Sequence, residues 1–427
     1  MELEMRAALK SLIATGLLAA PVLLAPTSAR AAFDNYNSVL LGSRAAGLGH
    51  AFTALGGDVA ASPFTNPATT VLTPGNALAA TATLYTKNET RLGKTEDLFE
   101  TTQRVNRGFF RSVPSSSGSV THFGSFSLAL SLLVPDYEQY AGPVKTTDGV
   151  NSFVNQTDES FWAGASLAAR LTETHSLGLT VYYTARSLTR SVNDTATPEG
   201  TSNTTTVLEE KSLTNNSIVA IFGYHHRLAK HWSAGLSFRP PSLPFSGSAS
   251  YYRSVSEPGQ APQIFRDDGL RTQTKVPSKL ALGIAREVPG VSTLSFDMHL
   301  YEATSYNDVM GPAESVDQIV HRQVVNFSFG YEAPVSPTFK WRMGVFTNFS
   351  SHPVPDPARG VRQADGVEMS GFSGNMEFQT AANTWVTFGG SYSGGRGTTL
   401  QSVAGRLTPI AKTQHLYTLL IATGFQF

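Results

Sequence analysis

The sequence predicts an all-β chain: a transmembrane antiparallel β-barrel of about 14 strands whose lumen is plugged by an N-terminal hatch. Three observations carry this. Long segments alternate with a period of two between a large apolar face and a small or polar one. Aromatic residues gather near the ends of those segments. The connections between them alternate strictly between short and long through the second half of the chain.

Composition narrows the class first. Of 427 residues only 15% are charged and 41% are hydrophobic, with 32 basic residues, 32 acidic residues and no cysteine. A soluble domain carries about 25% charged residues, so the chain is under-charged without being greasy. Outside the leader, no run approaches the roughly 20 apolar residues of a membrane helix. A neutral charge balance gives nucleic-acid binding no support. Without cysteine, disulfides and thiolate metal sites are excluded.

Residues 1–31 read as a secretory signal peptide. Arg6 and Lys10 precede an apolar run over 12–25, and Ala29-Arg30-Ala31 is a small-x-small cleavage signal. A membrane anchor would need a longer run, and Pro21 and Pro26 interrupt this one. Met5 offers a second start after the unusual Glu2 and Glu4.

Residues 32–75 do not alternate. Glycines at 42, 47, 49, 56 and 57 argue for tightly turning backbone with close approaches. This stretch is the expected plug, and 76–427 the barrel. Residues 76–86 read as the first strand, and a poorly patterned stretch near 101–113 as its return. Twelve strands then follow from about residue 119. In 294–301 the greasy face is Leu294, Phe296, Met298 and Leu300, opposite Ser295, Asp297, His299 and Tyr301. In 324–331 it is Val325, Phe327, Phe329 and Tyr331, opposite Asn326, Ser328 and Gly330. In 339–349 it is Phe339, Trp341, Met343, Val345 and Phe349, opposite Lys340, Arg342, Gly344 and Asn348. The last strand presents Tyr417, Leu419, Ile421, Phe425 and Phe427. A soluble β-sandwich also alternates, but its strands average about 5–6 residues. Connections at 172–175, 228–231, 288–291, 333–338 and 380–383 are short. Those at 191–206, 253–272, 305–316, 351–365 and 394–411 are long and polar, as extracellular loops of an outer-membrane barrel are.

Gly47-Leu48-Gly49-His50-Ala51-Phe52, then Asp58, then Asn66-Pro67-Ala68 resembles the N-terminal hatch of the FadL-type outer-membrane transport family. Segments beginning at Phe123, Trp232 and Val276 resemble that family's strands, and the likeness spans most of the mature chain. Three departures stand out: Gly57-Asp58 replaces an acidic pair, the spacing from Asp58 to Asn66 is one residue longer, and Thr69-Thr70 follows the Asn-Pro-Ala. The resemblance implies a fourteen-stranded barrel that conducts hydrophobic molecules inward across the outer membrane of a Gram-negative bacterium. Related hatch-bearing barrels also serve secretion systems, so a surface-interaction or secretion-system component is the alternative.

Enzymatic readings find no spacing. There is no Gly-x-Ser-x-Gly elbow and no H-E-x-x-H. His225, His226 and His231 flank a short turn and read as polar turn residues rather than metal ligands. No cofactor or metal is expected. A charge facing lipid at mid-bilayer costs about 2–4 kcal/mol, so the register puts Arg170, Arg186, Arg239, Asp297, His299, Lys340 and Arg342 inside or at the rims. Of these, Arg170, Arg186, Arg239, His299 and Arg342 are candidates to bind the head group of a ligand. The other reading of the same charges is mutual pairing and hatch anchoring, for example to Asp58; Arg44 and His50 are open in the same way. Leu48, Phe52, Leu55 and Phe64 line a greasy pocket or pack the plug. The expected partners are a fatty-acid-like or hydrocarbon ligand, outer-membrane lipid and lipopolysaccharide, and the barrel-assembly machinery through Phe427. Nucleic acid is not among them.

Overall fold

The computed structural model describes residues 35–36, 38–92, 103–110, 114–145, 150–197, 203–359, 363–403 and 406–427. The expected signal peptide lies outside them. The chain folds as a closed antiparallel barrel of 14 strand positions. Position one is Ala77–Leu92 (β1), and its return is Gln103–Phe110 (β2) continued by Pro114–Phe123 (β3). Phe126–Lys145 (β4), Val150–Arg170 (β5), His175–Ala196 (β6) and Thr205–Ala229 (β7) follow. Two positions are broken in the middle: Trp232–Arg239 (β8) with Leu243–Ser256 (β9), and Gln263–Thr272 (β10) with Lys279–Val288 (β11). Ser292–Tyr301 (β12) leads into a crossing that holds Thr304–Asn307 (β13), Val309–Met310 (β14) and Gln318–His321 (β15). Val324–Ser336 (β16), Phe339–Asn348 (β17), Gly366–Ala381 (β18), Thr384–Val403 (β19) and Arg406–Gln426 (β20) complete the wall. β1 pairs with β20 from Ala77↔Gln426 to Leu92↔Lys412, which closes the cylinder.

The alternation is what folds it. Successive side chains of a strand point to opposite faces, so one face of each strand turns outward. Leu128, Leu130, Leu132, Leu179, Val181, Phe222, Phe327, Phe329, Met343, Val345, Phe388 and Leu419 all stand exposed there. A continuous exposed apolar belt of this size is untenable in water and is what a bilayer requires. Phe123, Trp232, Phe378, Phe425 and Phe427 mark its edge near the short turns. None of the described helices is long and apolar enough to cross a membrane.

Strand lengths differ around the wall. β5, β6 and β7 have 21, 22 and 25 residues, whereas β11, β12 and β17 have 10 each. A membrane strand needs about 9–11, so β5 to β7 rise far above the belt. Here the expected long polar connections are corrected. Much of 191–206, 253–272 and 394–411 is ladder, because Ser, Thr and Asn continue the pairing beyond the belt with Val192, Val207 and Leu400 turned inward. The return strand likewise runs to Phe123, further than the 101–113 stretch expected for it.

The N-terminal segment fills the lumen. Its elements are a helical turn Arg44–Gly47 (α1), a second turn Ser62–Thr65 (α2) and a 3-10 turn Pro67–Leu72. Leu48, Phe52 and Leu55 are fully buried in a cluster with Ala45, Ala54, Ala61 and Ala285 of the wall.

Candidate functional site

The hatch sequence docks onto the wall at three pairs of glycines that face each other across neighbouring strands. Gly178 of β6 pairs with Gly223 of β7; the first lies against the backbone of Pro67 and Ala68, the second against Asn66 Oδ1, Ala68 N and the Pro67 ring. Gly235 of β8 pairs with Gly283 of β11, and both lie against Thr53 and Ala54. Gly330 of β16 pairs with Gly344 of β17, against Leu48 and Gly49. A Cβ on Gly330 would stand 2.8 Å from the Leu48 Cβ, and one on Gly344 would enter the Leu48–Gly49 peptide. Gly49 has φ +64, a conformation that glycine adopts without strain. Gly47 leaves room for Asn375, which donates to Ser43 O at 2.6 Å.

Polar groups lock the same contacts. Asn66 donates from Nδ2 to Thr53 O at 2.7 Å and Tyr224 O at 3.0 Å, while its Oδ1 accepts from Ala68 N at 3.2 Å. That last bond caps the turn that Pro67 opens. The Asp297 carboxylate on β12 accepts from Phe52 N at 2.8 Å and Thr53 N at 2.7 Å. Asp58 organises the hatch itself. It accepts from Ala45 N, Ala60 N and Ala61 N at 3.1, 3.2 and 3.1 Å and makes no ion pair with the wall. Wall anchoring falls instead to Arg44, which reaches Glu332 at 2.8 Å and Glu287 at 3.0 Å. Arg342 joins it through Glu332 and through Glu377 at 2.7 Å.

Beside the hatch lies a cavity. Trp162 and Phe64 line it, with Tyr182 packed behind them; Phe64 stands edge-on to Trp162 and Tyr182 at 5.6 and 6.4 Å between centroids. Leu41, Val39 and Val276 pack against the same cluster. Its lining also holds Arg186, Arg239, Lys275 and Lys279 against Asp136. Arg186 is spent on Asp158, which it grips at 2.9 and 2.6 Å. Among the described residues, Arg239 and Lys279 have no carboxylate within ion-pair distance. Arg239 lies 5.8 Å over the Trp162 ring and donates to Pro277 O at 3.2 Å, leaving its buried Nε without a partner. Lys279 stands 5.4 Å from the Tyr301 ring and 5.9 Å from Phe64. The result is a chamber with an aromatic and aliphatic side and a polar side that is net electropositive.

Of the five candidates from the sequence, the structure brings Arg186 and Arg239 to this cavity. Arg342 is committed to its carboxylates, and Arg170 sits exposed at the rim and donates to Val71 O at 3.0 Å. His299 is buried 3.7 Å from Asp297, outside the lining. Phe64 lines the chamber, as does His50, whose Nε2 contacts Leu41 N at 2.7 Å. Sequence reasoning missed Lys279, Trp162 and Tyr301. Tyr301 and Trp162 follow from the inward register of β12 and β5. Lys279 carries no such signal, because it opens β11 beside the break at Pro277.

The chamber meets the wall at Pro135 and Asp136. There the β4–β5 register shifts, between Leu133 and Asp136. The β3–β4 ladder also ends, at Ser116↔Leu133. Among the described residues no pairing joins the upper part of β4 to β2. A second cavity, lined by Leu40, Val134, Tyr137, Leu416 and Leu420, opens beside that break. Above the chamber, the crossing between β12 and β16 folds over the lumen. Lys211 holds it through Ser315 O at 2.8 Å, Asp308 at 2.5 Å and Asp317 at 3.0 Å.

No family model and no curated protein matches the sequence. Solved structures match in fold. A Pseudomonas aeruginosa FadL homologue aligns with a TM-score of 0.66 and 13% identity, over 93% of this chain and 100% of that one. The Pseudomonas putida toluene transporter TodX aligns at 0.64 and 11%, over 92% and 99%. The Ralstonia pickettii toluene transporter TbuX aligns at 0.61 and 12%, over 92% and 99%. At this identity the likeness is one of architecture, and on it the chain has the fold of the FadL-type transport barrels.

Proposed function

We propose that the chain is an outer-membrane channel for passive uptake of hydrophobic molecules, and that its preferred solute is a fatty-acid-like anion rather than a neutral hydrocarbon. The observation that carries this is the pair Arg239 and Lys279, which among the described residues have no carboxylate within ion-pair distance, at the end of a chamber that touches a break in the wall. A buried cation without a counter-ion is costly, and a carboxylate head group with an apolar tail supplies both the charge and the filling. The solved structures of similar fold, two of them toluene transporters, support a transport role over a catalytic one. No covalent step is required: transfer between apolar sites drives the solute forward.

In this reading residues 1–31 are a leader, 32–75 the plug and 76–427 the barrel, in the outer membrane of a Gram-negative bacterium. The apolar belt contacts phospholipid and lipopolysaccharide, and the exposed Phe427 is the signal to the assembly machinery. Titration of laurate and of dodecane into the purified protein tests the solute. A charged hydrogen bond contributes about 1.5–3 kcal/mol, so Arg239→Ala and Lys279→Ala should each weaken laurate binding about tenfold or more and leave dodecane within twofold. Full laurate affinity in both variants, or uptake unchanged by deletion of the protein, overturns the reading. The alternative, a surface-interaction or secretion-system barrel, draws support from the tall β5–β7 wall; a stable protein partner and a lumen that binds neither ligand would favour it.

A further inference from the structure

The outer face of the barrel carries a polar convergence far from the chamber, at the rim of the short turns. His175 at the start of β6 and His226 near the end of β7 are direct cross-strand partners. Both face outward, in register with the exposed Leu177, Phe222 and Leu228. His175 Nδ1 lies 2.9 Å from His226 Nδ1 and 2.8 Å from the Tyr224 hydroxyl, which is 3.3 Å from His226 Nδ1.

The protons do not suffice for these contacts. A neutral imidazole has one N–H and a phenol one O–H. Two Nδ1 protons would collide, so three close contacts share at most two protons, and lone pairs converge on one point. In a tetragonal metal site, neighbouring ligands about 2.0–2.1 Å from the ion stand about 2.9 Å apart. The triangle matches that spacing, and the strand ladder holds it in place without a ligand. Among the described residues no group of three His, Cys, Asp or Glu can hold a metal; this site is completed by a tyrosine.

We propose that His175, His226 and Tyr224 form a surface site for a tetragonal transition-metal ion of the Cu(II) class, at the lower edge of the apolar belt. Nitrogen donors with one oxygen in cis positions suit Cu(II), which such donors bind more tightly than the other divalent ions of its row. Each imidazole then binds through Nδ1 and carries its proton on Nε2, and water completes the coordination. Tyr392 and His415 make the same tyrosine–histidine contact at 2.8 Å with no second imidazole, and so serve as an internal control.

The test uses untagged, metal-stripped mature protein in detergent, titrated with Cu(II) and read by electron paramagnetic resonance. The expected result is one tetragonal Cu(II) per chain, with splitting from two nitrogens. His175→Ala and His226→Ala should each weaken binding at least about tenfold and remove the two-nitrogen pattern. Tyr224→Phe should keep the pattern with weaker binding, and His231→Ala and His415→Ala should change neither. Absence of stoichiometric Cu(II), undiminished binding by His226→Ala, or loss of binding by His415→Ala overturns the proposal.

Discussion

The two halves of the lumen treat buried charge in opposite ways. Where the hatch meets the wall, Arg44, Arg342, Glu332, Glu377 and Glu287 satisfy one another, Asp58 accepts from three backbone amides, and Asp297 accepts from two through one of its oxygens. In the chamber, Arg239 and Lys279 lie against aromatic rings, and among the described residues no carboxylate, Asp136 included, comes within ion-pair distance of them. Closed networks make rigid contacts. Unpaired cations make a place for something that arrives. On the proposed function, the difference separates what holds the plug from what would receive the solute, although both are built from the same inward-facing positions.

The hatch side breaks most easily through its glycines. Gly344→Val would push a side chain into the Leu48–Gly49 backbone, which cannot yield as a flexible side chain can. Overpacking commonly costs about 1–3 kcal/mol, and here the hatch rather than the wall should give way. Single-channel recordings should show a raised, fluctuating conductance from a barrel that still resists heat in gel electrophoresis; an unchanged closed state would count against the socket. The network comes next. Glu332→Gln leaves Arg44 and Arg342 buried with one fewer anion. Breaking a buried pair costs about 3–5 kcal/mol, spread here over the remaining carboxylates, so the thermal midpoint should fall by several degrees. The effect should exceed that of Lys340→Gln, whose partner Glu377 keeps Arg342. Asn66→Ala removes a cap and two donor bonds. A cap contributes about 1 kcal/mol, and faster hydrogen exchange confined to 53–54 and 67–72 should report it. Smallest of all, Tyr183→Phe removes an exposed bond to Asn216 on the outer face and should shift stability by less than about 1 kcal/mol. A larger fall would mean that the outer surface shares in holding the lumen.

Much of the wall was legible because a period of two is written directly into the chain. Phe327 and Phe329 point outward while Asn326 and Ser328 point in, and no tertiary knowledge is needed to see it. The tall part of β6 and β7 was harder. Above the belt the outer face turns polar, the contrast between faces falls, and a ladder of Ser, Thr and Asn reads as loop. The glycine sockets were half legible. Gly330 and Gly344 fall on the inner face by alternation, but that they oppose each other depends on strand register, which pairs residues 14 positions apart through a turn and a bulge. The chamber was less visible still. Arg239 and Lys279 flank two separate strand breaks, at Pro240-Pro241 and at Pro277, and meet Trp162 from a third strand.

The seam between β1 and β20 ties the closure of the barrel to the end of the plug. β1 begins only a few residues after the hatch, and its partner is the last strand of the chain. Phe427 N donates to Asn76 O at 2.9 Å, and Gln426 donates to Pro74 O at 2.6 Å, so the seam ends against the segment that leaves the plug. In the folded protein the plug's exit and the closing seam therefore share one set of hydrogen bonds, so a change at 74–76 reaches both.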